Sequence, residues 1–264
     1  MRLILYFTVV GLLTSLTGCS AVWQTSSDED QLLDDYSRGM LGSSRSSSNA
    51  QGSRAGITFM ENGHDRPKIV LRDTADVRRF LYQYTSTDRK FVFEALPRRT
   101  RYLPVIEEAF RSENLPIELS NIAFVESRFI PTARSGQGAM GIWQLMKPTA
   151  RRFGLTVSLF KDERQNVFRS SDAAAKYLSI LYNHFEDWLL AVAAYNWGPL
   201  NIDEAIKKGD TRDFYALAEQ GLICKQTREF VSKYIALTLI TRNLEVFGFN
   251  DAEAEEVRQI DESK

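Results

Sequence analysis

The stretch PIELSNIAFVESRFIPTARSGQGAMGIWQL, residues 116–145, joins an apolar segment with helical spacing to a turn punctuated by glycines. Four of its residues recur at helical intervals and share one face: Leu119, Ile122, Ala123 and Glu126. Glu126 ends that face, where apolar surroundings disfavour the charged form of a carboxyl group and keep it protonated near neutral pH. A protonated carboxyl group is what a general acid requires. Taken alone the position is a weak signal, since a glutamate at a helix end is more often solvated or ion-paired.

Most of the chain from residue 69 onward repeats its apolar residues with helical rather than strand-like spacing. The first expected helix runs through Val77, Phe80, Leu81 and Tyr84, with Asp73 or Thr74 as its cap, and a short second helix covers 104–111 with Pro104 in its first turn. A third helix runs through Ala174, Tyr177, Leu178 and Leu181, with Ser170 or Ser171 as its cap. Two more helices cover 186–195, with a stop near Gly198-Pro199, and about 226–245. The best strand candidate, residues 91–93, fits a helix equally well. We therefore predict a mostly α-helical domain.

Composition and charge narrow the function classes. Hydrophobic residues make up 44% of the 264 residues, which is enough for a true core. The formal net charge is −1, from 33 basic and 34 acidic side chains, so the chain has no long-range attraction for DNA or RNA and no nucleic-acid partner is expected. The two histidines and two cysteines lie far apart without the spacing of metal ligands, so we expect neither a metal site nor a cysteine nucleophile.

Residues 1–19, MRLILYFTVVGLLTSLTGC, are typical of a lipoprotein signal. The apolar run over 3–13 would rise only about 16 Å as a helix, about half of a hydrocarbon core, so it fits a signal peptide over 1–18 better than a membrane span. The last four residues, Leu16-Thr17-Gly18-Cys19, resemble the bacterial lipobox. That resemblance implies lipidation of Cys19, and a serine after it implies the outer membrane. The alternative is an ordinary secretory peptide with a chance cysteine.

The segment over 19–68 has little apolar periodicity, an acidic patch and a serine-rich run, so we expect a lipidated N-terminus followed by a flexible, disordered linker. About 48 residues span about 40 Å on average, which lets an anchored domain reach a polymer away from the membrane. A folded domain over 69–250 and an acidic tail over 251–264 complete the predicted organisation. With Cys19 lipidated in an oxidising compartment, we expect Cys224 to be buried in the core and inert.

Three motifs, in order along the chain, carry a resemblance to a known family. They are Glu126-Ser127, then Gly141-Ile142-Trp143-Gln144, then Ala193-Ala194-Tyr195-Asn196-Trp197-Gly198. Together they resemble the goose-lysozyme-like family of lytic transglycosylases, with its Glu-Ser pair, Gly-x-x-Gln turn and Ala-Tyr-Asn-x-Gly helix end. The sequences RYLP at 101–104 and LPIEL at 115–119 look like the membrane-bound lytic murein transglycosylase D branch of that family. The resemblance covers roughly residues 70–250 and implies a lysozyme-like helical domain with a substrate cleft.

The resemblance also implies a role for each matching residue. Glu126 matches the catalytic acid and base. Ser135 matches a serine that orients the N-acetyl group of N-acetylmuramic acid. The remaining substrate-binding residues are Ser127, Gln144, Tyr195, Asn196 and, in the last family motif, Tyr234. By spacing alone Tyr195 fits a core aromatic residue about as well, and Gln144 fits a residue that closes a turn.

The chain departs from the family pattern at Ile142, Trp143 and Gln137, where relatives carry leucine, methionine and, in some cases, a second serine. We expect these side chains in the cleft wall, so the departures bear on the shape of the sugar subsites more than on the reaction. Trp143, Trp188 and Trp197 are candidates for stacking on sugars, although tryptophans at helical spacing more often serve packing.

The motifs contain no second carboxylate, whereas a glycosidase normally uses two. Asp162, Glu163, Glu186 and Asp187 lie nearby in sequence, in polar settings that look like surface. The resemblance therefore implies a single-carboxylate cleavage of the β-1,4 bond between N-acetylmuramic acid and N-acetylglucosamine in peptidoglycan, with closure of a 1,6-anhydro ring and no metal or cofactor.

Two other functions stay open: a true peptidoglycan hydrolase of goose-lysozyme type, and a non-catalytic peptidoglycan-binding lipoprotein. In every case the expected partners are peptidoglycan glycan strands and, through lipidated Cys19, a membrane. The expected location is the periplasmic face of the outer membrane. Two kinds of protein partner also stay open, the machinery of cell-wall turnover and a secretion apparatus.

Overall fold

The computed structural model describes residues 68–249, so the predicted signal peptide, Cys19, the linker before residue 68 and the acidic tail lie outside the described residues. Ten α-helices occupy the described range: α1 (Ala75–Tyr82), α2 (Arg89–Phe93), α3 (Leu96–Ser112), α4 (Asn121–Ser127), α5 (Lys147–Arg152), α6 (Val167–Phe185), α7 (Trp188–Trp197), α8 (Pro199–Gly209), α9 (Phe214–Glu219) and α10 (Lys225–Arg242). A π-helical turn (Gln83–Thr87) and two 3₁₀ turns (Ile117–Ser120 and Glu163–Gln165) connect some of them. Within this range, extended residues pair only in isolated bridges. The prediction of a mostly α-helical domain is confirmed. None of the helices between residues 68 and 249 is long and apolar enough to cross a bilayer.

The centre of the domain is α7, whose residues from Trp188 to Tyr195 are all buried. A helix that is apolar on every side belongs in a core, and the three alanines of α7 let α6, α8 and α10 approach it closely. Asp187 starts the helix by accepting a hydrogen bond from the N–H of Leu190 at 2.8 Å. Because α7 ends in Tyr195 and Asn196, the core fixes the positions of these two predicted site residues.

The prediction that Pro104 lies in the first turn of a short helix is wrong. α3 begins at Leu96, carries Pro97 in its first turn and holds Pro104 in its interior. A proline inside a helix removes one backbone hydrogen bond and costs about 3 kcal/mol or more. Pro104 is exposed, however, while Leu96 and Ile106 are buried on a helix that packs against α6. Burial of that apolar face keeps the helix continuous through the proline.

The cap predicted for α6 is also wrong. The helix begins at Val167, one turn earlier, where the Asn166 side chain accepts a hydrogen bond from the backbone N–H of Arg169 at 2.9 Å. Ser170 and Ser171 lie inside the helix and are fully buried. Since Asn166 caps the helix, both serine hydroxyls serve other hydrogen bonds.

The remaining helix predictions are confirmed within a few residues. Thr74 caps α1 by accepting a hydrogen bond from the N–H of Val77 at 3.3 Å, and residues 91–93 belong to helix α2. α7 starts at residue 188 rather than 186, because Glu186 adopts a left-handed φ of 54° that ends α6. The stop at Gly198-Pro199 is present, but Pro199 is at once the first residue of α8, which was not predicted.

Candidate active site

Glu126 lies in the last turn of α4, and two unusual residues follow directly after the helix. Arg128 and Phe129 both adopt left-handed φ values, 55° and 57°. Non-glycine residues take up this conformation at a cost, and two in succession reverse the chain sharply. The reversal is held by hydrogen bonds from the N–H of Arg128 to the Phe124 carbonyl at 3.0 Å and from the N–H of Phe129 to the Ala123 carbonyl at 3.3 Å. These two hydrogen bonds therefore fix the end of the helix on which Glu126 lies.

The Glu126 side chain is half-buried and lines a cavity. Burial disfavours the carboxylate and raises the pKa of Glu126 to about 8. Within residues 68–249 no donor forms a hydrogen bond with this carboxyl group, so nothing local offsets the cost of charging it. The carboxyl group is uncharged at neutral pH, as the sequence predicts for a general acid.

The cavity brings together most of the predicted site residues. Glu126, Ser135, Gln144, Tyr195 and Asn196 all line it, as does Gln137. Six further lining residues were not predicted as site residues: Ala139, Leu145, Met146, Thr149, Tyr177 and Gln226. The sequence offers no signal for these six, since they lie outside the three motifs.

Glu126 is the only carboxylate among the described residues that line this cavity. Asp162 forms an ion pair with Arg164 at 2.7 Å, and Glu163 forms one with Lys161 at 2.7 Å. The prediction of a surface position is wrong for Asp162, Glu163 and Asp187, which are all half-buried. Asp187 caps α7, and burial raises its pKa. None of these side chains lines the cavity.

Ser135 and Gln144 each have one polar atom engaged in the turn between α4 and α5. Ser135 Oγ accepts a hydrogen bond from the N–H of Ala139 at 3.0 Å, which leaves its hydroxyl proton to donate. Gln144 Nε2 donates to the carbonyl oxygens of Ala133 and Gly141 at 3.0 and 2.9 Å. Its amide oxygen is thus the atom left to accept a hydrogen bond in the cavity.

Tyr195 and Asn196 contribute from the C-terminal end of α7. The Tyr195 hydroxyl donates to the Trp143 carbonyl at 2.7 Å. Burial, together with the nearby Glu126, raises the pKa of Tyr195 well above its ordinary value, so the phenol stays neutral. Asn196 Oδ1 accepts a hydrogen bond from the Thr227 hydroxyl at 2.9 Å, which leaves the amide N–H groups of Asn196 to donate.

Two residues expected to bind substrate do not line the cavity. Ser127 is buried, and its hydroxyl donates to the Ile142 carbonyl at 2.8 Å, which ties the end of α4 to the glycine-rich turn. Tyr234 is fully buried in α10, and burial raises its pKa. Substrate contact by Ser127 and Tyr234 stays a prediction that the lining of the cavity does not support, since a motif match does not specify the direction in which a side chain points.

Of the three residues that differ from the family pattern, only one lines the cavity. Gln137 lines the cavity as predicted, but Ile142 and Trp143 are fully buried. The Trp143 indole donates to Ser171 Oγ at 3.0 Å and packs 5.6 Å from the Phe110 ring. The placement of Ile142 and Trp143 in the cleft wall is wrong, and Trp143 serves packing rather than sugar stacking.

The buried side chain of Arg164 stabilises the wall of the cavity through hydrogen bonds. Arg164 is 2% exposed and forms a two-pronged pair with Asp162, from Nε to Oδ1 at 2.9 Å and from Nη2 to Oδ2 at 2.7 Å. Its Nη1 donates to the carbonyl oxygens of Gly138 and Leu145 at 2.8 and 2.9 Å. Planar guanidinium groups suit such bidentate contacts. Arg164 therefore holds both ends of the segment that carries Gln144.

Gly141 shows why this segment requires glycine. Its φ is 85°, and a Cβ atom there would lie 1.9 Å from the Arg164 carbonyl oxygen. The backbone of Gly141 can lie this close to the backbone of Arg164 only because glycine has no side chain.

The prediction that Cys224 is buried in the core is wrong. It is half-buried at the cap position of α10, rather than buried in the core, and its Sγ lies 3.3 Å from the Thr227 hydroxyl oxygen. Between residues 68 and 249, no three His, Cys, Asp or Glu side chains are grouped as metal ligands.

Comparison with known proteins shows what this chain is similar to. Residues 104–218 match the model described as Transglycosylase SLT domain. The matched segment includes Glu126, Ser135, Gln144, Tyr195 and Asn196, whereas Tyr234 lies beyond its end.

The chain is also similar to parts of longer curated proteins. Membrane-bound lytic murein transglycosylase D from Escherichia coli is 31% identical over 201 residues, which are 74% of this chain and 43% of the relative. The peptidoglycan transglycosylase gp16 of Escherichia phage T7 is 40% identical over 109 residues, which are 39% of this chain and 8% of that protein. This chain thus spans less than half the length of transglycosylase D.

Among solved structures, the 70 kDa soluble lytic transglycosylase of Escherichia coli is 22% identical, with a TM-score of 0.48 over 54% of this chain and 24% of that one. Lytic transglycosylase Slt of Pseudomonas aeruginosa is 26% identical, with a TM-score of 0.46 over the same shares of the two chains.

Proposed function

We propose that this protein is a lytic transglycosylase that cleaves the β-1,4 bond between N-acetylmuramic acid and N-acetylglucosamine in peptidoglycan, with Glu126 as its catalytic acid and base. The SLT domain and the names of its relatives support the substrate class. The observation that carries the proposal is the state of Glu126, a lone carboxyl group in the cavity whose pKa is raised to about 8. At pH 7 such a group is protonated in roughly nine molecules out of ten.

The first step needs an acid. Protonated Glu126 donates its proton to the glycosidic oxygen as the bond from that oxygen to C1 of the muramic acid sugar breaks. The carbonyl oxygen of the sugar's own N-acetyl group forms a bond to C1 and carries the positive charge. Ser135, with a hydroxyl proton left to donate, and Gln144, with an amide oxygen left to accept, orient that N-acetyl group.

The second step needs a base. Glu126, now ionised, takes the proton of the C6 hydroxyl, and O6 forms a bond to C1 while the N-acetyl oxygen leaves. The product is a 1,6-anhydro ring, Glu126 is protonated again, and no water is consumed. A carboxyl group whose pKa lies near the working pH suits both transfers. Tyr195 and Asn196 are proposed to position the substrate, with Asn196 donating through its amide.

The proposal is tested by mass spectrometry of the soluble products of purified sacculi. The wild-type protein should release muropeptides with 1,6-anhydro ends, and Glu126→Gln should release none while it remains folded. Glu219→Gln, at an exposed carboxylate in the last position of α9, is the matched control and should behave as wild type.

The other two functions give different spectra. A hydrolase of goose-lysozyme type would release products with reducing ends. A binding protein would sediment with sacculi and release nothing. Anhydro products from the Glu126→Gln protein at the wild-type rate would remove Glu126 from its proposed role.

We also propose that Cys19 is lipidated after removal of residues 1–18, and that the protein is anchored to the periplasmic face of the outer membrane through the segment that ends near residue 68. The lipobox-like sequence supports this, as does the printed name of transglycosylase D, which is called membrane-bound. Labelling of cells with a fatty-acid analogue should mark the wild-type protein and not Cys19→Ala. Labelling of both proteins alike would exclude Cys19 as the site.

A further inference from the structure

The two polar atoms of the Asn196 side chain have different surroundings. Oδ1 accepts a hydrogen bond from the Thr227 hydroxyl at 2.9 Å. Nδ2 forms no hydrogen bond with another residue between 68 and 249, and it is not one of the buried polar atoms of this range that lack a partner. Asn196 lines the cavity, so it offers hydrogen-bond donors to a bound ligand, whereas Gln144 offers an acceptor.

Thr227 is the residue that holds Asn196 in place. It lies in the first turn of α10, is 1% exposed and does not line the cavity, so it cannot contact a ligand there itself. Buried threonines in helices often donate to a carbonyl group of their own helix, as Thr238 of α10 does to the Tyr234 carbonyl at 2.8 Å. The Thr227 hydroxyl proton instead joins α10 to the end of α7.

The Thr227 hydroxyl also selects the orientation of the Asn196 amide. A hydroxyl both donates and accepts, so a carboxamide can turn either its oxygen or its NH₂ group toward it. With the amide reversed, however, the buried Thr227 proton would have only Cys224 Sγ, 3.3 Å away, as an acceptor among the described residues. Sulfur accepts hydrogen bonds weakly, and a buried donor without a strong acceptor is costly. The stable orientation is therefore the one that turns the Asn196 N–H groups away from Thr227.

We infer that Thr227 is a positioning residue for the substrate: its hydroxyl holds the Asn196 amide with its N–H groups toward the cavity, where they donate to an oxygen atom of the bound glycan. The inference rests on the proposed function, because it takes the cavity as the glycan site. It extends that site to a residue beyond the matched segment 104–218. A donor held in one direction binds an acceptor oxygen without the ordering cost of an amide that can rotate.

Binding without turnover tests the inference, by sedimentation of the full-length Glu126→Gln protein with purified sacculi. In this parent, Thr227→Val removes the hydroxyl at nearly constant volume, and Thr227→Ser keeps it. Thr238→Val is the matched control, at a fully buried threonine of the same helix that does not line the cavity. Urea unfolding of each protein shows that it is folded.

Thr227→Val should bind sacculi about three- to tenfold more weakly than the parent, which is the range expected for one uncharged hydrogen bond. Thr227→Ser should bind within twofold of the parent. Thr238→Val should do so as well, although the loss of its hydrogen bonds lowers its stability. In a background that also carries Asn196→Ala, Thr227→Val should change binding by less than twofold, because the amide through which Thr227 acts is absent.

Asn196→Asp separates the donor role of Asn196 from its contact with Thr227. At pH 8 the carboxylate still accepts the Thr227 hydrogen bond but has no N–H group to donate. This variant should bind sacculi at least tenfold more weakly than the parent. Because it keeps the contact between α7 and α10, it decides the question even where Thr227→Val does not fold.

Several results would overturn the inference. Binding of Thr227→Val at the parent level would do so, as would a failure of Thr227→Ser to restore binding. An equal loss in Thr238→Val would assign the effect to stability alone. A loss that persists in the Asn196→Ala background would show that Thr227 does not act through Asn196, and parent-like binding of Asn196→Asp would show that no donor is needed. None of these readouts needs catalysis, so a failure of the proposed activity would appear separately, as a wild-type protein that releases no anhydro products.

Discussion

Replacement of Glu126 by glutamine is expected to stabilise the protein at neutral pH while it abolishes the activity. The folded state holds the Glu126 carboxyl group with a pKa of about 8, whereas its ordinary value, which applies to the unfolded chain, is 4.5. The unfolded chain therefore loses this proton at a lower pH than the folded chain does. The contribution of Glu126 to the free energy of unfolding is greatest below pH 4.5, where both states are protonated, and falls as the pH rises from 4.5 to about 8.

The size of the effect follows from the same two values. Each pH unit between them lowers the free energy of unfolding by about 1.4 kcal/mol. The free energy of unfolding that Glu126 contributes is about 3 kcal/mol lower at pH 7 than at pH 4. Above pH 8 this loss levels off at about 5 kcal/mol. Glutamine keeps the shape of the side chain and does not ionise. For a domain of this size, about 3 kcal/mol corresponds to a rise of roughly 6–12 °C in Tm.

The assay is thermal or urea unfolding of the wild-type protein, Glu126→Gln and the exposed control Glu219→Gln at pH 4, 7 and 9. The Glu126→Gln protein should match wild type at pH 4 and exceed it increasingly at pH 7 and 9, while the control follows wild type throughout. A difference between Glu126→Gln and wild type that does not change with pH would refute the reasoning, because the gain would then come from something other than the ionisation of Glu126.

Three further substitutions test the parts of the cleft wall. Gly141→Ala should lower the free energy of unfolding by more than about 3 kcal/mol in urea titrations, because its Cβ would meet the Arg164 carbonyl oxygen at 1.9 Å; a loss below about 1 kcal/mol would contradict the close approach. Tyr195→Phe should cost about 1–3 kcal/mol by the same measurement, since it leaves the Trp143 carbonyl without its 2.7 Å hydrogen bond. Arg164→Lys should keep the fold by circular dichroism yet lower kcat at least tenfold, because lysine cannot hold Asp162 and both carbonyl groups at once; an unchanged kcat would show that the cleft wall does not need the arginine.

The fold was predictable where one local rule acts alone. Thr74 and the stop at Gly198-Pro199 follow from capping and turn chemistry, and the structure confirms both. Pro104 was misplaced because its helix is stabilised by an apolar face that packs against α6, and no local rule weighs that burial. Ser170 was misassigned for a related reason, since several polar residues in a row offer equivalent caps and tertiary contacts choose among them.

The candidate site was predictable where residues fall in ordered motifs. Glu126, Ser135 and Gln144 line one cavity although eighteen positions in sequence separate the first from the last. Tyr177 was counted as part of a core helix face, because helical spacing does not distinguish a buried residue from one that borders a cavity. Arg164 had no signal at all, since an arginine in a polar loop is ordinarily solvated and only the folded chain shows it buried beneath the wall.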